Sequence, residues 1–99
     1  MPGYFVAHYT INDRDTYAKY PPAVVPTPAQ YGGNLLIADN AVEVVEGKPQ
    51  QVTVVIEFES VEAAQRWYNS PENGQIKHLR ISSTEGWAVI AKEFERPAP

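Results

Sequence analysis

The stretch from Gly3 to Ile11 constrains this chain more than any other, because it reads as a β-strand with no polar side. Tyr, Phe, Val and Thr favour extended backbone, and alternation sets Phe5, Ala7, Tyr9 and Ile11 on one face and Tyr4, Val6, His8 and Thr10 on the other. A strand with two largely apolar faces needs cover on both. With 99 residues there is material for one domain and a thin core. Helices of the same chain can cover one side of such a sheet, and a second copy is the simplest cover for the other.

The remaining segments build that sheet and its helices. Asn12-Asp13 offers an N-cap, after which Tyr17, Tyr20 and Val24 follow at helical spacing and Asp15 suits the first turn. Pro21-Pro22 is expected to break or kink this helix. A short turn starts at Thr27 as cap with Pro28 behind it and stops at Gly32-Gly33. Asn34 to Ala38 reads as a second strand, and Val42 to Val45 resumes extended structure as far as Gly47. Gln51 to Glu59 is the clearest strand, with Val52, Val54, Ile56 and Phe58 against Thr53, Val55, Glu57 and Glu59. Ser60 caps the next helix, striped by Ala63, Ala64, Trp67 and Tyr68. Ser70-Pro71 starts a further helical segment running to about Arg80, and Trp87 to Phe94 closes the sheet.

The order is β-α-β-β-α-β. It predicts an α+β, ferredoxin-like domain over 1–95, a four-stranded antiparallel sheet with helices on one face, followed by a flexible tail over 96–99. The uncovered face keeps Val55 and the outer sides of the first and last strands, an apolar patch that predicts a homodimer through the sheet faces.

Composition narrows the functions. The net charge is −4 and no dense basic run offsets it, which argues against nucleic acid. The uncharged stretch from Tyr20 to Ala38 carries too many prolines and glycines for a membrane span. The first residues lack the charged and long apolar regions of a signal peptide, so the reading is a soluble cytoplasmic protein. Cysteine is absent, which removes disulfides, thiol nucleophiles and cysteine-ligated metals, and two widely spaced histidines predict no metal site. Gly32-Gly33 is not a phosphate-binding fingerprint, and no serine sits in a nucleophile elbow.

Several motifs, taken together in order and spacing, resemble a known family. They are Gly3-Tyr4, Asp13 with Tyr17 and Tyr20, Tyr31-Gly32-Gly33, Glu46-Gly47, Ile56-Glu57-Phe58 with Ser60, Ala64, Trp67-Tyr68, Ser70-Pro71-Glu72 and Arg80. Over about Gly3 to Phe94 the chain resembles the bacterial domain of unknown function 1330 family, within the dimeric α/β-barrel superfamily of ferredoxin-like folds. The resemblance implies a dimer with a cleft between each sheet and its helices, and implies no reaction. The wider superfamily spans cofactor-independent oxygenases, haem-degrading enzymes, isomerases, cyclases and ligand-binding regulators, among which fold cannot choose. One departure is Asn73-Gly74, where the family places an aromatic, typically Tyr; the resemblance then implies a wider or differently closed pocket.

The candidate site follows from both readings. His8 is the strand histidine, and its imidazole suits proton transfer near neutrality. Glu57 lies within an apolar strand and must be solvated, protonated or paired, with Arg80 as the base in view. These two are the catalytic candidates, with Arg80 as anion anchor or structural partner. Asp13, Tyr17, Tyr20, Trp67, Tyr68 and Ser70 complete the ligand-binding set. Each also has an ordinary structural role: caps for Asp13 and Ser70, core rings for the aromatics, a hydrogen-bonded strand histidine for His8. The function expected is a small-molecule site between sheet and helices, suited to cofactor-free proton transfer or oxygenation on a small organic acid or phenolic compound. The alternative is a non-catalytic dimeric binding or structural module.

Overall fold

Strand alternation in Gly3–Ile11 decides which residues meet the helices. In the computed structural model, which describes residues 1–97, this stretch is β1, and Phe5, Ala7 and Tyr9 are buried while Tyr4, Val6, His8 and Thr10 are half-exposed. The last two positions of the tail expected over 96–99 lie outside the described residues.

β2 (Asn34–Asp39), β3 (Val52–Phe58) and β4 (Thr84–Lys92) complete an antiparallel sheet in the order β2-β3-β1-β4. β1 is thus central, pairing with β3 from Gly3↔Phe58 to Tyr9↔Val52 and with β4 from Gly3↔Lys92 to Ile11↔Thr84. That second register explains why β4 begins and ends earlier than the expected Trp87 to Phe94: it starts and stops where β1 does. The fold is α+β and ferredoxin-like, with the helices on one face of the sheet.

The helices are α1 (Arg14–Tyr17), α2 (Tyr20–Val24), α3 (Val61–Tyr68), α4 (Pro71–Gly74) and α5 (Lys77–Ile81), with a 3-10 turn at Pro28–Tyr31. Three caps form as the sequence predicts. Asp13 accepts from the Thr16 amide, Ser60 from the Ala63 amide and Ser70 from the Asn73 amide. Gly32 ends the 3-10 turn at φ 75°, a left-handed conformation that glycine adopts without a side-chain clash. Gly3 is required for closeness instead, because a Cβ there would run into the backbone of Val61 at the start of α3.

The break expected at Pro21-Pro22 forms: α1 ends at Tyr17, and a new helix, α2, starts at Tyr20 with both prolines in its first turn, where a missing N–H costs nothing. Three expectations change. Thr27 does not cap with its side chain; its hydroxyl donates to the Val24 carbonyl at 2.8 Å and accepts from Trp67 Nε1 at 2.9 Å. The segment after Ser70 is two short helices, because it turns at Gln75–Ile76 just past Asn73-Gly74. Val42 to Val45 lies in loop rather than strand, tied back by one bond from the Val42 amide to the Gln51 carbonyl.

The core lies between β1, β3 and α3. Phe5, Phe58 and Trp67 form its centre, with Trp67 edge-on to Phe5 at 5.1 Å and tilted against Phe58 at 5.5 Å. Ala7 and Ala64 are small enough to let α3 settle close to the sheet.

Candidate ligand-binding site

The core does not extend under the whole helical layer. Toward α1, α2 and β2, the inner face of the sheet leaves a cavity of about 190 Å³. Its floor is Ala7, Tyr9, Val54 and Ile56, its roof Tyr17, Tyr20, Pro21 and Val24, and Arg80 closes one end. The exposed lining residues Val25, Leu35 and Asn40 place the mouth between α2 and the edge strand.

The polar part of the cavity is a cluster of phenols. The Tyr9 and Tyr17 hydroxyls share a hydrogen bond of 2.8 Å, and the Tyr17 and Tyr20 rings lie 5.9 Å apart. Burial pushes the Tyr9 phenol far above its ordinary range, with the Tyr17 hydroxyl adding to it. Burial also raises Tyr20, while the positive charge of Arg80 pulls the other way. The Tyr9 and Tyr20 phenols are therefore neutral hydrogen-bonding groups at physiological pH. Arg80 is buried, with its guanidinium 5.9 Å from the Tyr9 ring, and its Nε has no hydrogen-bond partner.

The structure unites Tyr17, Tyr20 and Arg80 and separates them from the two catalytic candidates. His8 and Glu57 project from the opposite face of the sheet, so the expectation that they line the same site is corrected. His8 Nδ1 lies 2.9 Å from Thr53 Oγ1, and its ring is 5.5 Å from that of Trp87. Glu57 does not pair with Arg80; it accepts a hydrogen bond of 3.1 Å from the Tyr4 hydroxyl beside it on the open face. The reason is alternation: Glu57 neighbours Ile56 and Phe58, which point inward, so its own side chain points outward.

The other candidates stand in structural roles. Asp13 is an exposed cap whose carboxylate also accepts from the Thr16 hydroxyl at 2.7 Å, and this holds it below its ordinary range. Trp67 is buried in the core, and Tyr68 stacks on Phe5 at 5.9 Å with the Lys77 ammonium 4.3 Å above it. Ser70 donates to the Trp67 carbonyl while capping α4. Asn73, standing where the family places an aromatic, is buried and donates to the Tyr68 carbonyl at 2.9 Å, away from the cavity lining. Sequence reading missed Tyr9, although its place on the Phe5 and Ala7 face was the signal that it shares the cavity.

Among the described residues no three His, Cys, Asp or Glu side chains converge as a metal site, and no helix is long and apolar enough to cross a membrane.

Comparison with known proteins agrees with this geometry at the level of fold. The family described as domain of unknown function (DUF1330) matches residues 2–94. No curated protein matches the chain. A protein of unknown function from Rhodopseudomonas palustris has a similar structure, at a TM-score of 0.77 and 14% identity, covering 96% of this chain and 84% of that one. A dimeric protein of unknown function and ferredoxin-like fold from Bacteroides fragilis follows, at 0.64 and 11%, covering 93% and 96%. So does SnoaB, a cofactor-independent oxygenase from Streptomyces nogalater, at 0.63 and 11%, covering 96% and 95%.

Proposed function

Since the chain belongs to the DUF1330 family, whose description assigns no activity, the functional reading must come from the site. We propose that each subunit of a homodimer binds a small organic molecule in the cavity between the sheet and α1–α2. The observation that carries this is the cavity itself, apolar in its floor and ringed by Tyr9, Tyr17, Tyr20 and Arg80. Sites of this type combine a mostly hydrophobic wall with a few converging polar groups.

The dimer rests on the opposite face. Trp87, Val89 and Ile37 are each about half exposed there, at 50%, 48% and 46%, beside Val6 and Val55. A contiguous apolar surface of this kind marks an interface, and a two-fold copy buries the same patch on both subunits. The ferredoxin-like protein from Bacteroides fragilis, described as dimeric, supports the same reading.

A second reading, cofactor-independent oxygenation of the bound compound, takes support from the likeness to SnoaB. It requires a proton acceptor, and the cavity lining offers no His, Asp or Glu, only phenol hydroxyls. Binding is therefore the reading the geometry supports better.

The test has two arms. Thermal-shift screening of small organic acids and phenols, followed by NMR mapping, is expected to give ligands that perturb Tyr17, Tyr20 and Val24; ligands that map to the His8 face would sink the cavity reading. Sedimentation at micromolar concentration is expected to show a dimer that Val89→Asp dissociates without unfolding. A monomeric wild-type chain would sink the dimer.

A further inference from the structure

The charge inside the cavity specifies more than its shape does. Arg80 is only 7% exposed, and its Nε lacks any acceptor. Among the described residues the ion pairs are Lys48 with Glu85 and Lys92 with Glu95, so no carboxylate among them answers Arg80. The expected partner, Glu57, is committed to Tyr4 across the sheet. What surrounds the guanidinium instead is the Tyr9 ring and the Tyr20 phenol, both neutral.

A guanidinium keeps its charge in any surroundings, and a buried charge without a partner is expensive. Proteins satisfy such a group with a carboxylate, whose two oxygens match the guanidinium fork and whose charge cancels it away from water. Here the protein supplies the fork and leaves the carboxylate out. One cation balances one anion, which favours a monocarboxylate over a doubly charged phosphate ester.

Size limits the rest of the molecule. A dry cavity of about 150 Å³ accommodates a benzene ring. The present cavity, at about 190 Å³, has room for a ring and a short acidic arm. That is roughly eight non-hydrogen atoms by the same scale, with the open mouth between α2 and β2 able to take one or two more. Val24, Val54 and Ile56 give the ring an apolar bed, and Tyr17 and Tyr20 line the same cavity as Arg80.

Resting on the proposal that the cavity binds a small molecule, we infer that its ligand is a compact aromatic or branched monocarboxylic acid whose carboxylate sits on Arg80. Arg80 thereby sets specificity for charge, and the apolar floor sets it for size.

The probes are phenylacetate and its neutral isostere phenylacetamide, titrated into the full-length protein by NMR and calorimetry. Phenylacetate is expected to shift the Tyr17, Tyr20 and Val24 resonances and to bind at least ten-fold tighter than the amide. Arg80→Gln is expected to erase that preference, so that both probes bind alike, and Arg80→Lys to retain part of it. If Arg80→Gln fails to fold, the wild-type preference and the Arg80→Lys variant decide the matter. Equal affinities in the wild type, or a preference that survives Arg80→Gln, would overturn the carboxylate assignment and leave the cavity standing as a neutral-ligand site. Millimolar probes that leave the cavity resonances unmoved would overturn both the assignment and the binding proposal.

Discussion

The two faces of one sheet carry the same kind of residue and do different things with it. On the inner face Trp67 is 1% exposed, edge-on to Phe5, with its indole N–H satisfied by Thr27. On the outer face Trp87 is 50% exposed, beside His8 on the neighbouring strand. The inner indole is part of what makes the chain fold, whereas the outer one is surface that the fold of a single chain does not need. The lesson extends to charge. Outside, His8 and Glu57 have hydrogen-bond partners and water; inside, Arg80 is almost wholly buried, has no carboxylate among the described residues, and its Nε has no acceptor.

The largest effect expected from this contrast comes from removing each indole. Trp67→Ala should destabilise the fold by about 3–5 kcal/mol, since it opens a cavity at the centre of the core and removes the indole N–H that donates to Thr27. Trp87→Ala should cost the isolated subunit under about 1 kcal/mol while weakening self-association. Urea unfolding at low protein concentration, paired with sedimentation, separates the two. Equal losses of unfolding free energy would mean that the faces do not differ as described.

The sequence allowed the strands to be read better than the side they would show to the helices. In β3, Val52, Val54, Ile56 and Phe58 alternate with more polar neighbours, so both the strand and its inner face were legible. In β1 the alternation was equally clear, yet both faces are apolar, and alternation then says only that His8 parts company with Tyr9. Which of them the helices cover is decided by where α3 lands, through contacts such as Gly3 against Val61 that no local pattern reveals. That is why the sequence groups His8 and Glu57 with Tyr17, Tyr20 and Arg80 and omits Tyr9, whereas the cavity is lined by Tyr9, Tyr17, Tyr20 and Arg80. The caps at Asp13, Ser60 and Ser70 were legible because capping is local chemistry. The break at Pro21-Pro22 was legible for the same reason, since proline cannot continue one helix and fits the first turn of the next.

A middle-sized effect sharpens the comparison of charges. Arg80→Met keeps a long flexible stem against the Tyr9 ring and removes the unpaired guanidinium. The ligand-free protein should gain about 1 kcal/mol, because a buried charge replaced by an apolar group of similar length is often stabilising. For a domain of this size that is a rise of roughly 4–8 °C in melting temperature. Calorimetry of the two proteins checks it, and a melting temperature that falls by several degrees would show that Arg80 is already well satisfied.

The smallest effect belongs to Asp13, which lies beyond the end of β1, exposed to water and on neither face. The Thr16 hydroxyl first, and the Thr16 amide second, hold its carboxyl below the ordinary value of 3.8. The lowered value belongs to the folded state, so the unfolded chain takes up a proton sooner as pH falls. The capping carboxylate therefore contributes its full stability above about pH 4 and loses it as acid titrates the group through its depressed folded value. Asp13→Asn keeps a side-chain oxygen for the Thr16 amide and cannot titrate. Near neutrality the variant should unfold at nearly the wild-type urea concentration, and between pH 6 and pH 3 it should lose less stability than the wild type does. Equal acid losses in the two proteins would place the titrating groups elsewhere, and a variant already weakened at pH 6 would mean that the carboxylate acts through its charge on α1 and not only through the hydrogen bond it accepts.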